Sequence, residues 1–384
     1  MKDLKEYLLK VGIILFPFSL SMPLPLKYSS IALIILLATL FFHMDYKKFS
    51  LKNYWIKISF LFFFIDAIVP ILFFDFYNII LKDTKLSYLL IPLLFFNSKD
   101  VLKKHFRLFI HSFCYGVLFY VFYAWVYAIY FYNFLHPNWY DFSLTDGYLF
   151  YIFYNYLPGA LHHTYIGLYI IIAINLLLIY PINFKIKYIN LILIIILAFT
   201  TFYVGSKIII VLLFLNFGIY FLYKKVFNAK LVLFISTILI TGFFFVKDWA
   251  FYNLSHSIEG RLTYYKCSFT LIKAKIFRGY GFKKIKGLVE YCPDINGPYL
   301  IPHNSILYSL LANGIFGLML LFVVYCFLIN KALKNKNYIF IIIVLNILTV
   351  SLIEDIFYLQ RGVFFISTFV SLFLYTKLEQ TINK

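Results

Sequence analysis

Two residues of this sequence have side chains suited to acid–base and phosphate chemistry, His303 and Arg261. A neutral imidazole near pH 7 can take a proton from a hydroxyl group. A guanidinium group can bind phosphate oxygens in pairs. Structural explanations stay open for both residues, because a lone histidine at an interface is more often a hydrogen-bonded structural residue and a surface arginine often neutralises lipid headgroups.

Further candidates for binding a phosphate or a sugar lie around these two. Asn304 follows His303 directly, and Gly205-Ser206-Lys207 forms a very tight turn between two apolar segments. The remaining candidates are Arg278, Lys283 and Lys284 in the sequence RGYGFKKIKG, and the pair His162 and His163. Snorkelling, a flexible turn and interfacial packing are the competing explanations for these residues.

The four cysteines fall into two groups. Cys267 and Cys292 share one long loop, where an oxidising compartment would permit a disulfide. Cys114 and Cys326 lie within apolar segments, where thiols usually serve packing. The sequence contains neither a C-x-x-C nor an H-E-x-x-H motif, so we predict no metal site and no cofactor.

Composition determines the class of protein that must position these residues. The 384 residues are 63% hydrophobic and only 13% charged, whereas soluble domains carry about 25% charged residues. The chain is therefore predicted to be an integral membrane protein. Its net charge of +19 is explained by basic loops that orient the membrane spans, so nucleic-acid binding is excluded.

Hydropathy predicts an all-α fold of about twelve transmembrane helices. The predicted spans are 8–22, 28–43, 55–74, 86–97, 107–133, 163–181, 187–204, 208–223, 231–247, 305–330, 338–356 and 361–376. This divides the chain into helices 1 to 9 in residues 1–247, one large periplasmic loop in 248–304, and helices 10 to 12 in 305–384.

Charge placement predicts the orientation. With both termini in the cytoplasm, most Lys and Arg residues fall in the inner loops. The exception is the loop 248–304, which would lie outside although it is rich in Lys and Arg. Long loops cross the membrane largely regardless of charge, and the excess of cations in this one predicts an anionic partner.

Within this loop, apolar residues recur at helical spacing from Arg261 onward. They are Leu262, Tyr265, Phe269, Ile272 and Ile276. This spacing predicts one apolar stripe of a helix that lies in the membrane interface, with its cations near the lipid phosphates. Downstream, the small-residue spacing of Gly314 and Gly317 predicts a close approach by another helix. The acids Glu354 and Asp355 are within reach of Arg361, and a structural ion pair would account for them.

The combined pattern resembles the O-antigen ligase family. His303-Asn304, nine residues and then Gly314-Ile315-Phe316-Gly317 are similar to that family's pattern of His, a small polar residue, nine positions and G-x-x-G. Arg261 upstream in the same loop also resembles the family's arrangement. Lys207 departs from it, because the family usually has arginine after the serine of that turn.

The resemblance implies a metal-independent, inverting glycosyltransferase of the bacterial inner membrane with a GT-C-like fold. It would move a glycan from undecaprenyl pyrophosphate to a hydroxyl of a lipid A-core sugar, with no cofactor, at a periplasmic active site. By this analogy Arg261 holds the donor pyrophosphate and His303 acts as the base or orients the acceptor.

Two alternatives stay open. The first is a repeat-unit polymerase of the same superfamily, which uses the same donor but a lipid-linked glycan as acceptor. The second is a transporter of lipid-linked sugars, which would place its site near the membrane midplane and show paired halves. The candidate residues here cluster on one face and in one loop, and this favours an enzyme.

Overall fold

The structure is a computed structural model, and it describes most of the chain as helices. The described residues are 2–22, 25–44, 46–74, 83–135, 152–153, 162–184, 188–224, 261–281, 285, 288, 292, 302–335 and 337–376. Within these ranges the secondary structure is α-helical with short turns, and no strand occurs there. This confirms the predicted all-helical class for the described part of the chain.

Thirteen helices are described, labelled here in chain order. They are α1 (Lys2–Ser21), α2 (Leu26–His43), α3 (Tyr54–Phe74), α4 (Asp83–Asn97), α5 (Lys99–Lys104), α6 (Phe106–Leu135), α7 (His163–Ile179), α8 (Ile189–Tyr203), α9 (Lys207–Lys224), α10 (261–274), α11 (Ser305–Asn335), α12 (Tyr338–Ser351) and α13 (Gln360–Thr376). Helices lie at eleven of the twelve predicted spans. The predicted ninth span, 231–247, lies outside the described residues.

Length and composition identify membrane-crossing candidates among these helices. Phe106–Phe134, Lys207–Lys224 and Ser305–Asn335 are long and apolar enough to cross a bilayer, and several shorter helices are also apolar. The count of twelve spans, the periplasmic placement of the loop and the division at residues 247 and 304 stay predictions.

The chain forms two compact units. The first comprises residues 1–36 and 105–254, and the second comprises 37–104 and 255–384. In the first unit, α6 packs against α1, α7 and α8. The indole N–H of Trp125 on α6 donates a 3.0 Å hydrogen bond to Oγ1 of Thr200 on α8. This bond satisfies a polar group that would otherwise be unpaired in an apolar interior.

In the second unit, α4 packs against α3 and α13, and α11 packs against α3 and α12. Trp55 on α3 donates from its indole N–H to Ser371 Oγ on α13, at 3.0 Å. Tyr88 on α4 donates from its hydroxyl to the carbonyl of Phe357, at 2.7 Å. These bonds link α13 and the segment before it to α3 and α4, so the connection between α12 and α13 is held in a defined position.

Candidate functional site

His303 lies immediately before α11 in a backbone conformation that non-glycine residues rarely adopt, with φ of 43°. Its neighbour Asn304 secures this turn. The side-chain oxygen of Asn304 accepts from the backbone N–H groups of Ile306 (2.8 Å) and Leu307 (3.1 Å), as an N-cap residue does. Its amide nitrogen donates to the carbonyl of Leu352 at 2.7 Å. The side chain of Asn304 makes these structural bonds, and its predicted role in binding substrate stays a prediction.

The imidazole of His303 faces a buried acid. Its Nδ1 lies 3.4 Å from Oε2 of Glu354, a side chain that is only 2% exposed, whereas the His303 side chain is 31% exposed. Ser305 strengthens this contact, because its hydroxyl donates to the backbone carbonyl of Glu354 at 2.8 Å. We call His303, Asn304, Ser305, Glu354 and Asp355 the histidine corner.

The contact between His303 and Glu354 determines which ring nitrogen carries the proton of the neutral imidazole. A proton on Nδ1 is stabilised by the carboxylate, and the lone pair of the neutral ring then lies on Nε2. The sequence predicted an ion pair of the two acids with Arg361 and gave no indication of the contact between Glu354 and His303. His303 and Glu354 are 51 positions apart, which hides the contact from any local pattern. The cost of burying an acid was nevertheless a signal that Glu354 has a specific partner.

Asp355 is buried in the same corner, in the segment that joins α12 to α13. Its Oδ1 has no hydrogen-bond partner among the described residues. Burial, and then the neighbouring carboxylate of Glu354, raises the pKa of Asp355 to about 6. The corner therefore contains an acid that changes its charge near neutral pH, beside the imidazole of His303.

Helix α10 packs against the beginning of α11. Leu271 and Ile272 of α10 share a buried cluster with Leu307 and Leu311 of α11. Cys267, one of the residues packed on this cluster, forms a disulfide with Cys292, and their Cα atoms lie 5.8 Å apart. Arg261, the first residue of α10, thus belongs to the same packed pair of helices as His303.

The buried face of α10 differs from the predicted apolar stripe. The helix ends at residue 274, before Ile276. Ile272 is buried as part of the packed face, whereas Leu262, Phe269 and Ile276 are exposed. The stripe is therefore mostly an outward edge of the segment. Tyr265 and Ile272 of the stripe pack on the cluster shared with α11. The three exposed residues form an apolar edge such as a helix at a membrane interface presents to lipid.

A turn after α10 docks into a break in α11, which we call the glycine junction. The break lies at Gly314, whose φ of 62° and ψ of −152° interrupt the helix. In a regular helix the N–H groups of Ile315 and residue 316 would bond to the carbonyls of Leu311 and Ala312. Here these carbonyls accept from Tyr280 (2.7 Å) and residue 281 (2.9 Å) instead.

The junction requires glycine on both of its sides. The N–H of Ile315 donates to the carbonyl of Ile276 at 2.8 Å, which completes three backbone hydrogen bonds between the two segments. A Cβ on Gly279 would lie 2.6 Å from the carbonyl oxygen of Ala312, and one on Gly314 would lie 2.5 Å from that of residue 277. The close approach predicted at Gly314 is therefore made by a turn rather than by another helix.

The other predicted residues lie in the first unit, at one end of a helix pair. His162 directly precedes α7 and His163 is its first residue, and the centres of the two rings lie 4.0 Å apart. Lys207 begins α9 and is half-buried, after a turn in which Gly205 has φ of 73°. The two helices approach closely where a Cβ on Gly167 would meet the side chain of Ile209.

Because Gly167 and Ile209 lie near the starts of α7 and α9, the structure brings His162, His163 and Lys207 to the same end of the first unit. Arg261, Arg278, His303 and Asn304 all lie in the second unit. Lys283 and Lys284 lie outside the described residues, so their role as substrate-binding residues stays a prediction.

Comparison with known families agrees with the sequence pattern. Residues 160–322, somewhat less than half of the chain, match the family model described as O-antigen ligase. The match confirms that this segment resembles the O-antigen ligase and polymerase superfamily. No curated protein matches the chain. The matched segment contains the two histidines of α7, Lys207, Arg261, His303 and the glycine junction, and it ends before Glu354.

Proposed function

We propose, from the resemblance of residues 160–322 to O-antigen ligases, that this protein transfers a glycan from undecaprenyl pyrophosphate to a sugar hydroxyl of the lipid A core. The reaction takes place at the periplasmic face of the inner membrane. The main support for the proposal is the contact between His303 Nδ1 and the buried carboxylate of Glu354. With the proton held on Nδ1, Nε2 of the partly exposed imidazole is the nitrogen that acts as the base.

The reaction is a direct displacement at the anomeric carbon of the donor sugar. The acceptor oxygen forms a bond to that carbon while the bond to the pyrophosphate oxygen breaks and its electron pair leaves with the pyrophosphate. The acceptor proton passes to Nε2 of His303 and then to water. Because the acceptor attacks opposite the leaving group, the anomeric configuration inverts.

Arg261 acts on the leaving group in this proposal. The departing pyrophosphate gains negative charge, and a guanidinium group stabilises that charge most when it binds two phosphate oxygens at once. Lys207 is proposed separately as a substrate-binding residue, with a point charge in place of the paired geometry of arginine. His162 and His163, at the same end of that unit, are proposed to contact sugar hydroxyls.

Glu354 is a positioning residue in this proposal. Its carboxylate holds the proton on Nδ1 and stabilises the imidazolium ion that forms when Nε2 accepts the acceptor proton. Glu354→Gln retains the shape of the side chain and removes its charge. The pH at which activity falls on the acid side should then change, a result that a purely structural role would not produce.

The test is a transfer assay with the purified full chain, lipid-linked donor and core acceptor. His303→Ala is expected to lower the rate by about 10²- to 10⁴-fold, the usual contribution of general base catalysis. His43→Ala is the matched control, because the bond of its ring among the described residues goes to the carbonyl of Thr39 in its own helix. Full activity of His303→Ala would remove the imidazole from the mechanism.

The glycan of a strain that lacks this gene separates ligase from polymerase. Full-length polymer stranded on undecaprenyl pyrophosphate, together with bare lipid A core, is the expected result for a ligase. Single repeat units on the core would indicate the polymerase instead. An unchanged glycan profile would contradict both enzymes and favour the transporter.

A further inference from the structure

The cations of the loop lie too far apart to serve one phosphate group. Arg261 is the first residue of α10, and Arg278 follows the end of that helix at residue 274. At 1.5 Å per residue, the helix alone separates the two positions by roughly 20 Å. A single pyrophosphate is far shorter than this distance, so one pyrophosphate would not span both positions.

The region around Arg278 has the features of an anion site. An open cavity of about 610 Å³ is lined, among the described residues, by residues 273–279. Three of these residues are cations, Lys273, Lys275 and Arg278, and none is acidic. The Nζ atom of Lys275 lies 4.6 Å from the centre of the Tyr280 ring, which holds this cation against the turn.

Apolar side chains lie within the same turn. Phe277 is 69% exposed and Ile276 is 42% exposed. We call Lys273, Lys275, Ile276, Phe277 and Arg278 the cationic turn. Cations beside exposed aromatic and aliphatic side chains match an amphiphile that has a negatively charged head and an apolar tail.

The glycine junction fixes the position of the cationic turn along α11. The N–H of Ile315 bonds to the carbonyl of Ile276, so the turn lies level with the break in α11. From Ile315 to Asn335 the helix is 21 residues long, or ~31 Å, which is about the thickness of the hydrocarbon core. Lys331 and Lys334 lie toward the other end of this stretch.

The outer surface of α11 supports this depth. Phe316, Met319 and Phe322 are exposed on the helix directly after the break, as expected of residues that face lipid. Phe277 lies beside the start of this surface, because Ile276 bonds to Ile315. If this surface of α11 faces lipid, the cations of the turn would lie at the level of the lipid phosphates and Phe277 would reach the acyl chains.

We propose that the cationic turn binds the phosphate-bearing headgroup of an anionic membrane lipid, at a site separate from the donor pyrophosphate at Arg261. The lipid's phosphate lies among Lys273, Lys275 and Arg278, and its chains lie against Phe277 and Phe316. This site also assigns Arg278 to a lipid rather than to the donor.

The identity of that lipid as the glycan acceptor rests on the proposed function. A lipid anchor that carries its own phosphate and is held at the cationic turn would be restricted to one depth and one side of α10. Lipid binding itself needs no donor and no transfer, so a failure of catalysis and a failure of this site give different results.

The test is titration of the purified full chain in detergent, with bound lipids counted by native mass spectrometry. The probes are phosphatidylglycerol, zwitterionic phosphatidylcholine and inorganic phosphate as competitor. Lys273→Gln combined with Arg278→Gln is expected to weaken phosphatidylglycerol binding roughly 30-fold, from the usual contribution of two cations at a lipid surface. Lys275 is left unchanged because its contact with Tyr280 is structural.

The matched control is Lys103→Gln combined with Arg107→Gln, another exposed lysine and arginine pair. This control should bind phosphatidylglycerol as the wild type does, and inorganic phosphate at the same concentration should not displace the lipid. The proposal is overturned if both double variants bind alike or if phosphatidylcholine binds as tightly. Displacement by inorganic phosphate would show a general anion site and would also overturn it.

A second readout links the site to transfer. In the transfer assay the Lys273→Gln and Arg278→Gln double variant should raise the KM for the acceptor and leave kcat near that of the wild type. A kcat that falls while the KM for the acceptor stays constant would contradict a role in acceptor binding.

Discussion

The histidine corner and the glycine junction lie at opposite ends of residues 305–313, and they are held by different chemistry. At the corner, side chains make the bonds: Asn304 to Leu352, Ser305 to Glu354, and His303 to Glu354. At the junction, all three bonds are between backbone groups. The corner therefore depends on which side chains are present, whereas the junction depends on the absence of side chains at two glycines.

This comparison gives a physical meaning to the family pattern of His, a small polar residue, nine positions and G-x-x-G. The nine positions are the short helical segment 305–313, and each end is docked by a distant part of the chain. Residues 352–355 dock at one end and residues 276–281 dock at the other. In this chain the nine positions therefore form a strut between the imidazole of His303 and a turn that carries cations.

The largest expected effect comes from adding a methyl group at the junction. Gly314→Ala places Cβ against the carbonyl of residue 277 in a backbone conformation that alanine rarely adopts. We expect destabilisation of about 4 kcal/mol or more, seen as loss of monodisperse protein in detergent.

Gly218→Ala is the matched control for this prediction, because Gly218 lies in α9 with nothing within 4 Å of its added Cβ. Its melting temperature should stay the same or rise slightly, since alanine favours helix. A stable Gly314→Ala protein would show that the junction does not depend on the absence of a side chain at this position.

A smaller effect with the opposite sign is expected at the corner. The pKa of Asp355 is raised from its ordinary value of 3.8 to about 6, so ionisation costs the folded protein free energy as pH rises through that range. Asp355→Asn should therefore raise the melting temperature above about pH 6, by an amount equivalent to roughly 2–3 kcal/mol.

Below about pH 4 this advantage should vanish, because Asp355 is then neutral in both the folded and the unfolded protein. Melting curves of the wild type and Asp355→Asn, measured from pH 4 to pH 8, test the sign. Curves that converge at high pH instead would show that the carboxylate form is the stabilised one.

The smallest expected effect separates the two functions of Asn304. Asn304→Ala removes both the helix cap and the bond to Leu352, at a cost of about 2 kcal/mol. Asn304→Ser restores a cap oxygen without the amide donor and should recover about half of that loss. Equal stability of the alanine and serine variants would mean that capping does not hold the corner.

Much of the helical architecture could be predicted from the sequence, because long apolar runs have few alternatives in a membrane. The predicted span 107–133 is observed as Phe106–Leu135, and 338–356 as Tyr338–Ser351. A helix is described over residues 261–274, where the apolar spacing predicted one. The face of this helix that packs against α11 was not predicted. An apolar stripe shows that one side of a helix avoids water, but it does not distinguish contact with protein from contact with lipid.

The candidate site was predictable only in part. His303 and Arg261 were found by residue type and by their motif, which are local properties of the chain. The contact between His303 and Glu354 joins two loops through the tertiary fold and leaves no local pattern. Gly314 was found by its spacing, but the identity of its neighbour depends on the turn that follows α10.

Because residues 305–313 are helical and are docked at both ends, their number fixes the relative orientation of the corner and the junction. One residue inserted within 305–313 would rotate the two ends by 100° relative to each other and lengthen the strut by about 1.5 Å. The imidazole would then point away from Glu354 even though every residue of the motif was still present. The length of this segment is thus as much a part of the site as the histidine itself.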